Sequence, residues 1–185
     1  MKDKQIILRN LIDNFLKKDQ LIKNDEYKRL EKSYLMKARK NLMVARLLLK
    51  ISEEEGIKKM LKIASYFETY DWVIIISYYA MYTSALSALA KLGFKSKNHL
   101  ATISVLEYNY VNKSESKKGL EVKDIHKLTK AYTLSEQLII KLMETKTKRE
   151  AAQYDATPNI TKEMAKTALD DADEFITNIE EVISK

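Results

Sequence analysis

The side chains able to do acid–base or metal chemistry are few in this sequence. It has no cysteine and two histidines, His99 and His126. Neither histidine belongs to a His-Glu-x-x-His or Glu-x-x-His motif, so the patterns that bind zinc or a di-metal centre in helical bundles are missing. The three glycines are isolated, which excludes a glycine-rich phosphate loop. No Ser/His/Asp set is recognisable from spacing. We therefore expect neither a metal nor a cofactor.

Composition and periodicity predict that helices carry these side chains. Three glycines and one proline in 185 residues are too few turn formers for a sheet protein, and 45% hydrophobic residues are too many for a disordered chain. Apolar residues recur at alternating steps of three and four, as the packed seam of a helical bundle requires. The sequence thus predicts an all-α fold. The expected helices span about 2–18, 25–51, 57–66, 72–90, 99–112, 122–147 and 161–183.

Positive charge is concentrated at the N-terminus. Residues 1–50 hold 14 lysines and arginines and 6 aspartates and glutamates, a net charge of +8, against +7 for the whole chain. Such a basic face can attract nucleic acid or an acidic protein, and the alternative is a lysine-rich solvated surface. We predict an N-terminal amphipathic extension over 1–24 and a helical bundle over 25–185. The absence of cysteine and of a signal peptide predicts a cytoplasmic protein.

The segment 72–90 contains no charged residue, so a membrane span must be considered. Ser77, Thr83 and three tyrosines interrupt its apolar run, and its neighbours are amphipathic helices that need a partner. We therefore predict that it is the buried axis of the bundle. Asp71 is expected to cap its start and Gly93 to end it. Its expected core stripe is Trp72, Ile75, Tyr79, Tyr82, Leu86 and Leu89.

Short sequence boxes, in order along the chain, resemble the HEPN domain, a nucleotide-binding domain of higher eukaryotes and prokaryotes. The resemblance covers about residues 28–183. It implies an up-and-down antiparallel helical bundle, commonly a homodimer. The boxes are Tyr70-Asp71-Trp72, Tyr78-Tyr79-Ala80-Met81-Tyr82, Gly93-Phe94-Lys95-Ser96-Lys97-Asn98-His99, Arg149-Glu150-Ala151-Ala152-Gln153-Tyr154-Asp155, and Ala165 with Ala172-Asp173-Glu174-Phe175.

The resemblance also implies a chemistry. Many HEPN proteins are metal-independent ribonucleases with an Arg-x4–6-His signature, in which histidine is the acid or base and arginine stabilises phosphate charge. Many are toxins paired with a minimal nucleotidyltransferase antitoxin, and in some a tyrosine receives a nucleotide. In this sequence no arginine precedes a histidine by that spacing. Arg149 and Tyr154 stand at the corresponding place, and Ser77 stands where the family often has a cation.

Three functions follow as hypotheses. The first is a nucleotide- or RNA-linked binding protein, dimeric and paired with a nucleotidyltransferase. Here Arg149 contacts phosphate and Tyr154 is a hydrogen-bond partner or a modification site. The second is a metal-independent endoribonuclease that uses Arg149 and a spatially adjacent His99. The third is a non-catalytic dimeric helical adaptor. The candidate catalytic residues are Arg149, Tyr154 and His99, and the candidate ligand-binding residues are Arg149, Tyr154, Asp155, Tyr78 and Tyr82.

Each candidate also has a purely structural interpretation. Tyr78 and Tyr82 lie on a helical stripe, which usually packs in a core. His99 follows Asn98, a good capping residue, so it can simply complete a helix start. Arg149 and Tyr154 can hold a turn against the bundle. His126 is expected to face solvent.

Overall fold

The structure, a computed structural model, describes residues 2–111, 120–148 and 160–184. These residues form an up-and-down antiparallel helical bundle, which confirms the predicted all-α class. The helices are α1 (Lys2–Lys17), α2 (Glu31–Glu53), α3 (Glu55–Leu61), α4 (Tyr70–Lys91), α5 (His99–Tyr110), α6 (Val122–Lys148) and α7 (Lys162–Ile183). A 3-10 helix (Asp25–Leu30) and two short strands, β1 (Leu21–Lys23) and β2 (Phe94–Ser96), complete the described fold.

Helix α4 is the buried axis of the bundle, as predicted. It packs against α2, α5, α6 and α7. Its alanines and serines let α2 approach closely and run antiparallel to it. At one end the Ser87 hydroxyl donates to the Glu31 carbonyl at 2.8 Å, and at the other the hydroxyls of Ser52 and Thr69 are 2.9 Å apart. Helix α4 is long and apolar enough to cross a membrane. However, 78% of its most apolar 18-residue stretch is buried within the protein, as is usual for a core helix.

The predicted start of α4 was wrong. The helix begins at Tyr70, and Thr69 is its N-cap residue. The Thr69 side chain makes no capping bond because its hydroxyl is engaged with Ser52 on α2. Asp71 therefore lies in the first helical turn, where its carboxylate favours the positive end of the helix dipole and accepts from the backbone N–H of Trp72 at 2.8 Å.

Gly93 ends α4 as predicted. Its φ of +78° lies in the left-handed region, and a Cβ at this position would stand 3.0 Å from the Asp25 carboxylate. The predicted core stripe of α4 was partly wrong, since Trp72 and Tyr79 are exposed. Ile75 and Leu89 of that stripe are buried, and the buried surface of α4 also includes Ile74, Tyr78, Met81 and Ala85.

Two other predicted helices have different bounds. Residues 25–30 form a 3-10 helix before α2 because the Asn24 side chain caps a first turn there, accepting from the Glu26 N–H at 2.9 Å. Glu54 has an extended backbone between α2 and α3, and α3 begins at Glu55 and ends at Leu61 rather than near residue 66. Lys62 follows with a left-handed φ of +56°, and its N–H bonds back to the last turn.

The N-terminal residues contact the bundle through β1 and α1. Strand β1 pairs antiparallel with β2, with Leu21 opposite Ser96. Helix α1 packs on α5 and buries Leu8, Ile12 and Phe15. The division into an extension over 1–24 and a bundle over 25–185 stays a prediction.

Ion pairs attach α7 on two sides. Arg39 on α2 binds Asp173 at 2.9 Å and also pairs with Glu180. On the other side Lys127 of α6 binds Asp171 at 2.9 Å and Glu174 at 2.7 Å. Because solvent screens these partly exposed pairs, they contribute little to the stability of the fold. Their main effect is to set the position of α7 along α2 and α6.

Candidate functional site

Three helices bring four aromatic side chains together beside α4. Tyr78 and Tyr82 lie one turn apart on α4, His99 is the first residue of α5, and Tyr132 belongs to α6. The His99 ring centroid is 4.2 Å from that of Tyr82 and 4.7 Å from that of Tyr132, with which it is stacked at 20°. Tyr78 lies 5.7 Å from His99 and 5.8 Å from Tyr132. We call these four residues the aromatic cluster.

Local capping fixes the position of His99. The Asn98 side chain accepts from the backbone N–H groups of Leu100 and Ala101 at 2.8 and 3.2 Å, which confirms the predicted cap. The short β1–β2 pair precedes this cap and holds Ser96, whose hydroxyl bonds the Asn98 carbonyl at 2.8 Å. The start of α5, and with it the histidine, is thereby held against α4.

Tyr78 is the buried base of the aromatic cluster. Its side chain is 2% exposed, and its hydroxyl forms a hydrogen bond with His99 Nδ1. Burial, reinforced by the neighbouring tyrosines, raises the pKa of Tyr78 far above its usual range. The phenol therefore stays protonated and keeps its hydrogen bond to the imidazole.

The other three side chains are half-buried and stay uncharged. Burial lowers the pKa of His99 from 6.5, against the opposing charge of Glu136, so the imidazole is neutral at pH 7. Burial also raises the pKa of Tyr82, although its hydrogen bond with Thr102 acts in the opposite direction. For Tyr132, burial and a hydrogen bond with Glu136 both raise the pKa.

This arrangement presents neutral rings and polar edges rather than a charged site. Flat aromatic and imidazole rings that are partly exposed can stack on a nucleobase. A neutral histidine can also accept or donate a hydrogen bond and act as a base. Within the described residues no group of three or more histidines, aspartates and glutamates could hold a metal ion.

The family model of the HEPN domain matches residues 31–182. The chain belongs to the HEPN domain family. The resemblance of the sequence boxes to this family is thus confirmed. No curated protein and no solved structure gives a match. Membership in the HEPN family supports a nucleotide- or RNA-related function for this protein.

Only part of the HEPN site predicted from sequence lies within the described residues. The structure joins Tyr78, Tyr82 and His99 in one cluster. Arg149, Tyr154 and Asp155 lie outside the described residues, so their role, and the pairing of Arg149 with His99, stays a prediction. His126 is exposed, as predicted.

Sequence reasoning missed two members of this region, Tyr132 and Glu136. Tyr132 was not among the candidate residues predicted from the sequence. Its contact with His99 joins residues 33 positions apart, and no local spacing signals such a contact. The sequence could have linked Tyr132 only to Glu136, because residues four positions apart lie on the same face of a helix.

Ser77 directly precedes Tyr78 of the aromatic cluster, at the place where the resemblance to the family implies a cation. Its side chain is 1% exposed, and its hydroxyl has no hydrogen-bond partner among the described residues. A charged side chain in this buried place would lose its hydration, which is costly. The serine therefore suits a buried helix face rather than a site that contacts phosphate.

Proposed function

We propose that this HEPN protein binds a nucleotide or a short RNA segment through the aromatic cluster. Arg149 would supply the phosphate contact and Tyr154 a hydrogen bond or a modification site. The observation that carries the proposal is the set of three half-buried neutral rings, His99, Tyr82 and Tyr132, arranged around a buried tyrosine.

Stacking supplies the physical basis of this binding. A base stacked on an aromatic ring contributes about 1–3 kcal/mol. The aromatic cluster is neutral, so it cannot by itself bind the phosphate charge, and Arg149 is the arginine that the family boxes put forward. We further propose that the protein is a homodimer and the partner of a minimal nucleotidyltransferase in a toxin–antitoxin or defence pair.

Ligand binding is tested by fluorescence anisotropy with a labelled single-stranded RNA. The His99→Ala protein should bind about tenfold more weakly, because it loses one stacking surface worth about 1–3 kcal/mol. The matched control is His126→Ala, since His126 is the other histidine and is exposed outside the cluster. Equal affinity of the two variants would contradict the proposal.

The pairing is tested by co-purification. A tagged full-length chain recovered from its own cells should bring down a nucleotidyltransferase, identified by mass spectrometry. Size-exclusion chromatography with light scattering should give the mass of a dimer. If the protein bound neither a nucleotidyltransferase nor a nucleotide, this proposal would be wrong, and the non-catalytic dimeric adaptor would be favoured instead.

The neutral state of His99 favours one second candidate, a metal-independent endoribonuclease. An imidazole with a lowered pKa is in its basic form at pH 7 and could take a proton from a ribose hydroxyl. RNA cleavage should then persist in EDTA and disappear in both Arg149→Ala and His99→Ala. Unchanged cleavage in either variant would remove this candidate.

A further inference from the structure

The outward side of α2 carries a row of exposed apolar residues. Met36, Met43 and Leu47 are 57%, 66% and 55% exposed, and Val44 beside them is 45% exposed. At about 100° per residue, the first three lie within an arc of about 40° on the helix and extend over roughly 16 Å. We call these four residues the α2 strip.

The remaining sides of α2 are already occupied. Ala38, Leu42 and Ala45 are fully buried in the core. Arg39 and Arg46, on the flank next to α7, are engaged with Asp173. The α2 strip therefore lies outside the packing of the bundle, and large apolar side chains in such a row are typical of an interaction surface.

Lysines border the α2 strip. Lys32, Lys37, Lys40 and Lys50 are all exposed on α2, and residues 32–52 contain no aspartate or glutamate. Lys50 lies 3.7 Å from Glu54, whereas the other three form no ion pair with the described residues. The surface is thus an apolar row with a positive border on both sides.

We propose that the α2 strip binds an acidic amphipathic helix of a partner protein. The leucines, methionines or phenylalanines of that helix would lie along Met36, Met43 and Leu47. Its flanking aspartates and glutamates would approach Lys32, Lys37 and Lys40. This is the helix-on-helix mode of recognition, in which apolar residues anchor the complex and charges select the partner.

A second copy of this chain fits the α2 strip less well. Packing two α2 helices face to face would bring their lysines together. Helix α7 is acidic, with exposed Glu163, Asp170, Glu174 and Glu181, but Met164 is the one large apolar side chain exposed among its described residues. An α7 helix from another copy would therefore meet the lysines and leave the apolar row uncovered.

A membrane surface also fits less well. Helices that lie in the membrane interface bury a broad apolar face, commonly with tryptophan or phenylalanine. The α2 strip has no aromatic residue, and Lys40 separates Val44 from the row of Met36, Met43 and Leu47, which leaves a narrow apolar face. The strip shares no residue with the aromatic cluster, so this proposal does not depend on the function proposed above.

A designed peptide tests the proposal. We would use a fluorescein-labelled helical peptide with leucines at alternating steps of three and four and glutamates on both flanks, and measure its binding to the full-length protein by anisotropy. Met43→Glu should weaken binding at least tenfold. Met60→Glu is the matched control, because it makes the same change at an exposed methionine of α3 and should alter binding less than twofold. Both sites are solvent-exposed, and circular dichroism would verify that both variants fold.

Charge provides the second arm of the test. Lys37→Glu with Lys40→Glu should reduce affinity for the acidic peptide and increase affinity for a peptide with lysines in place of its glutamates. Raising salt from 50 to 300 mM should weaken wild-type binding. Three results would overturn the proposal: equal binding by Met43→Glu and Met60→Glu, binding to phosphatidylserine vesicles without peptide binding, or self-association lost in Met43→Glu without peptide binding.

Discussion

Helix α4 has two sides that differ in how they are packed. Towards α2 it has small side chains, and hydroxyl–backbone contacts such as that of Ser87 with Glu31 set a close approach. Towards α5 and α6 it has tyrosine rings that surround a histidine. The first side resembles an ordinary helix interface. The second contains groups with shifted pKa values, which is more typical of a functional site than of a core.

The largest expected effect comes from filling the close-packed side. Ser87→Leu places three extra carbon atoms where the α2 backbone lies within hydrogen-bond distance and leaves the Glu31 carbonyl without its side-chain donor. The free energy of unfolding should fall by about 3 kcal/mol, as overpacked cores do. Chemical denaturation monitored by circular dichroism measures this.

The control for this change is Tyr79→Leu on the same helix. Tyr79 is 42% exposed, so its replacement should change the free energy of unfolding by less than about 0.5 kcal/mol. If both variants lost a similar amount of unfolding free energy, α2 would not approach α4 as closely as the Ser87–Glu31 hydrogen bond indicates.

This contrast also separates what the sequence could predict from what it could not. Helices α6 and α7 begin and end within about a residue of the bounds that periodicity predicts, because each has a regular apolar seam. The cap at Asn98 and the turn at Gly93 follow from local chemistry as well. Such features depend on neighbouring residues, so spacing is enough to find them.

The aromatic cluster depends on contacts between distant parts of the chain. Sequence indicated Tyr78, Tyr82 and His99 through the family boxes, but nothing linked Tyr132 to them. The exposure of Trp72 and Tyr79 was missed for a related reason: an uncharged helix gives no polar face from which to orient it. The apolar face can then be assigned only from the helices that pack against it.

A second prediction concerns the aromatic side. Tyr78→Phe keeps the ring but removes the hydroxyl that bonds His99 Nδ1. The loss should lower the free energy of unfolding by about 1 kcal/mol, the usual contribution of one hydrogen bond. Tyr79→Phe, at the exposed neighbour, is the control and should have no measurable effect. If both variants matched the wild type, the Tyr78–His99 bond would have no role in stability.

A third and smaller effect is a dependence of stability on pH. Burial lowers the pKa of His99 below its unfolded value of 6.5, so the unfolded chain binds a proton more readily. The resulting stability is fully present above pH 6.5 and is lost as the pH falls through the lower pKa of the folded protein. The difference in unfolding free energy between pH 7.5 and pH 5 should therefore be smaller in His99→Phe than in wild type.

The exposed histidine again gives the comparison. His126→Phe is the matched control, since it replaces the other histidine, which lies outside the aromatic cluster. An equal change in the two variants would contradict the assignment of the effect to His99. A two-dimensional NMR titration of the two imidazoles would assign the effect directly. A His99 that titrates above 6.5 would reverse the expected sign.

The smallest effect tests whether the side of α4 that contains Ser77 is purely structural. The Ser77 hydroxyl is buried without a partner in the part of the chain that the structure describes, whereas the Ser84 hydroxyl, also fully buried on α4, donates to the Met81 carbonyl at 2.7 Å. Ser77→Ala should leave the protein equally stable or about 0.5 kcal/mol more stable, because it removes an unpaired polar group. Ser84→Ala should instead destabilise it by about 0.5–1 kcal/mol. If Ser77→Ala were the more harmful of the two and also weakened RNA binding, Ser77 would belong with the tyrosines and the histidine as a ligand contact.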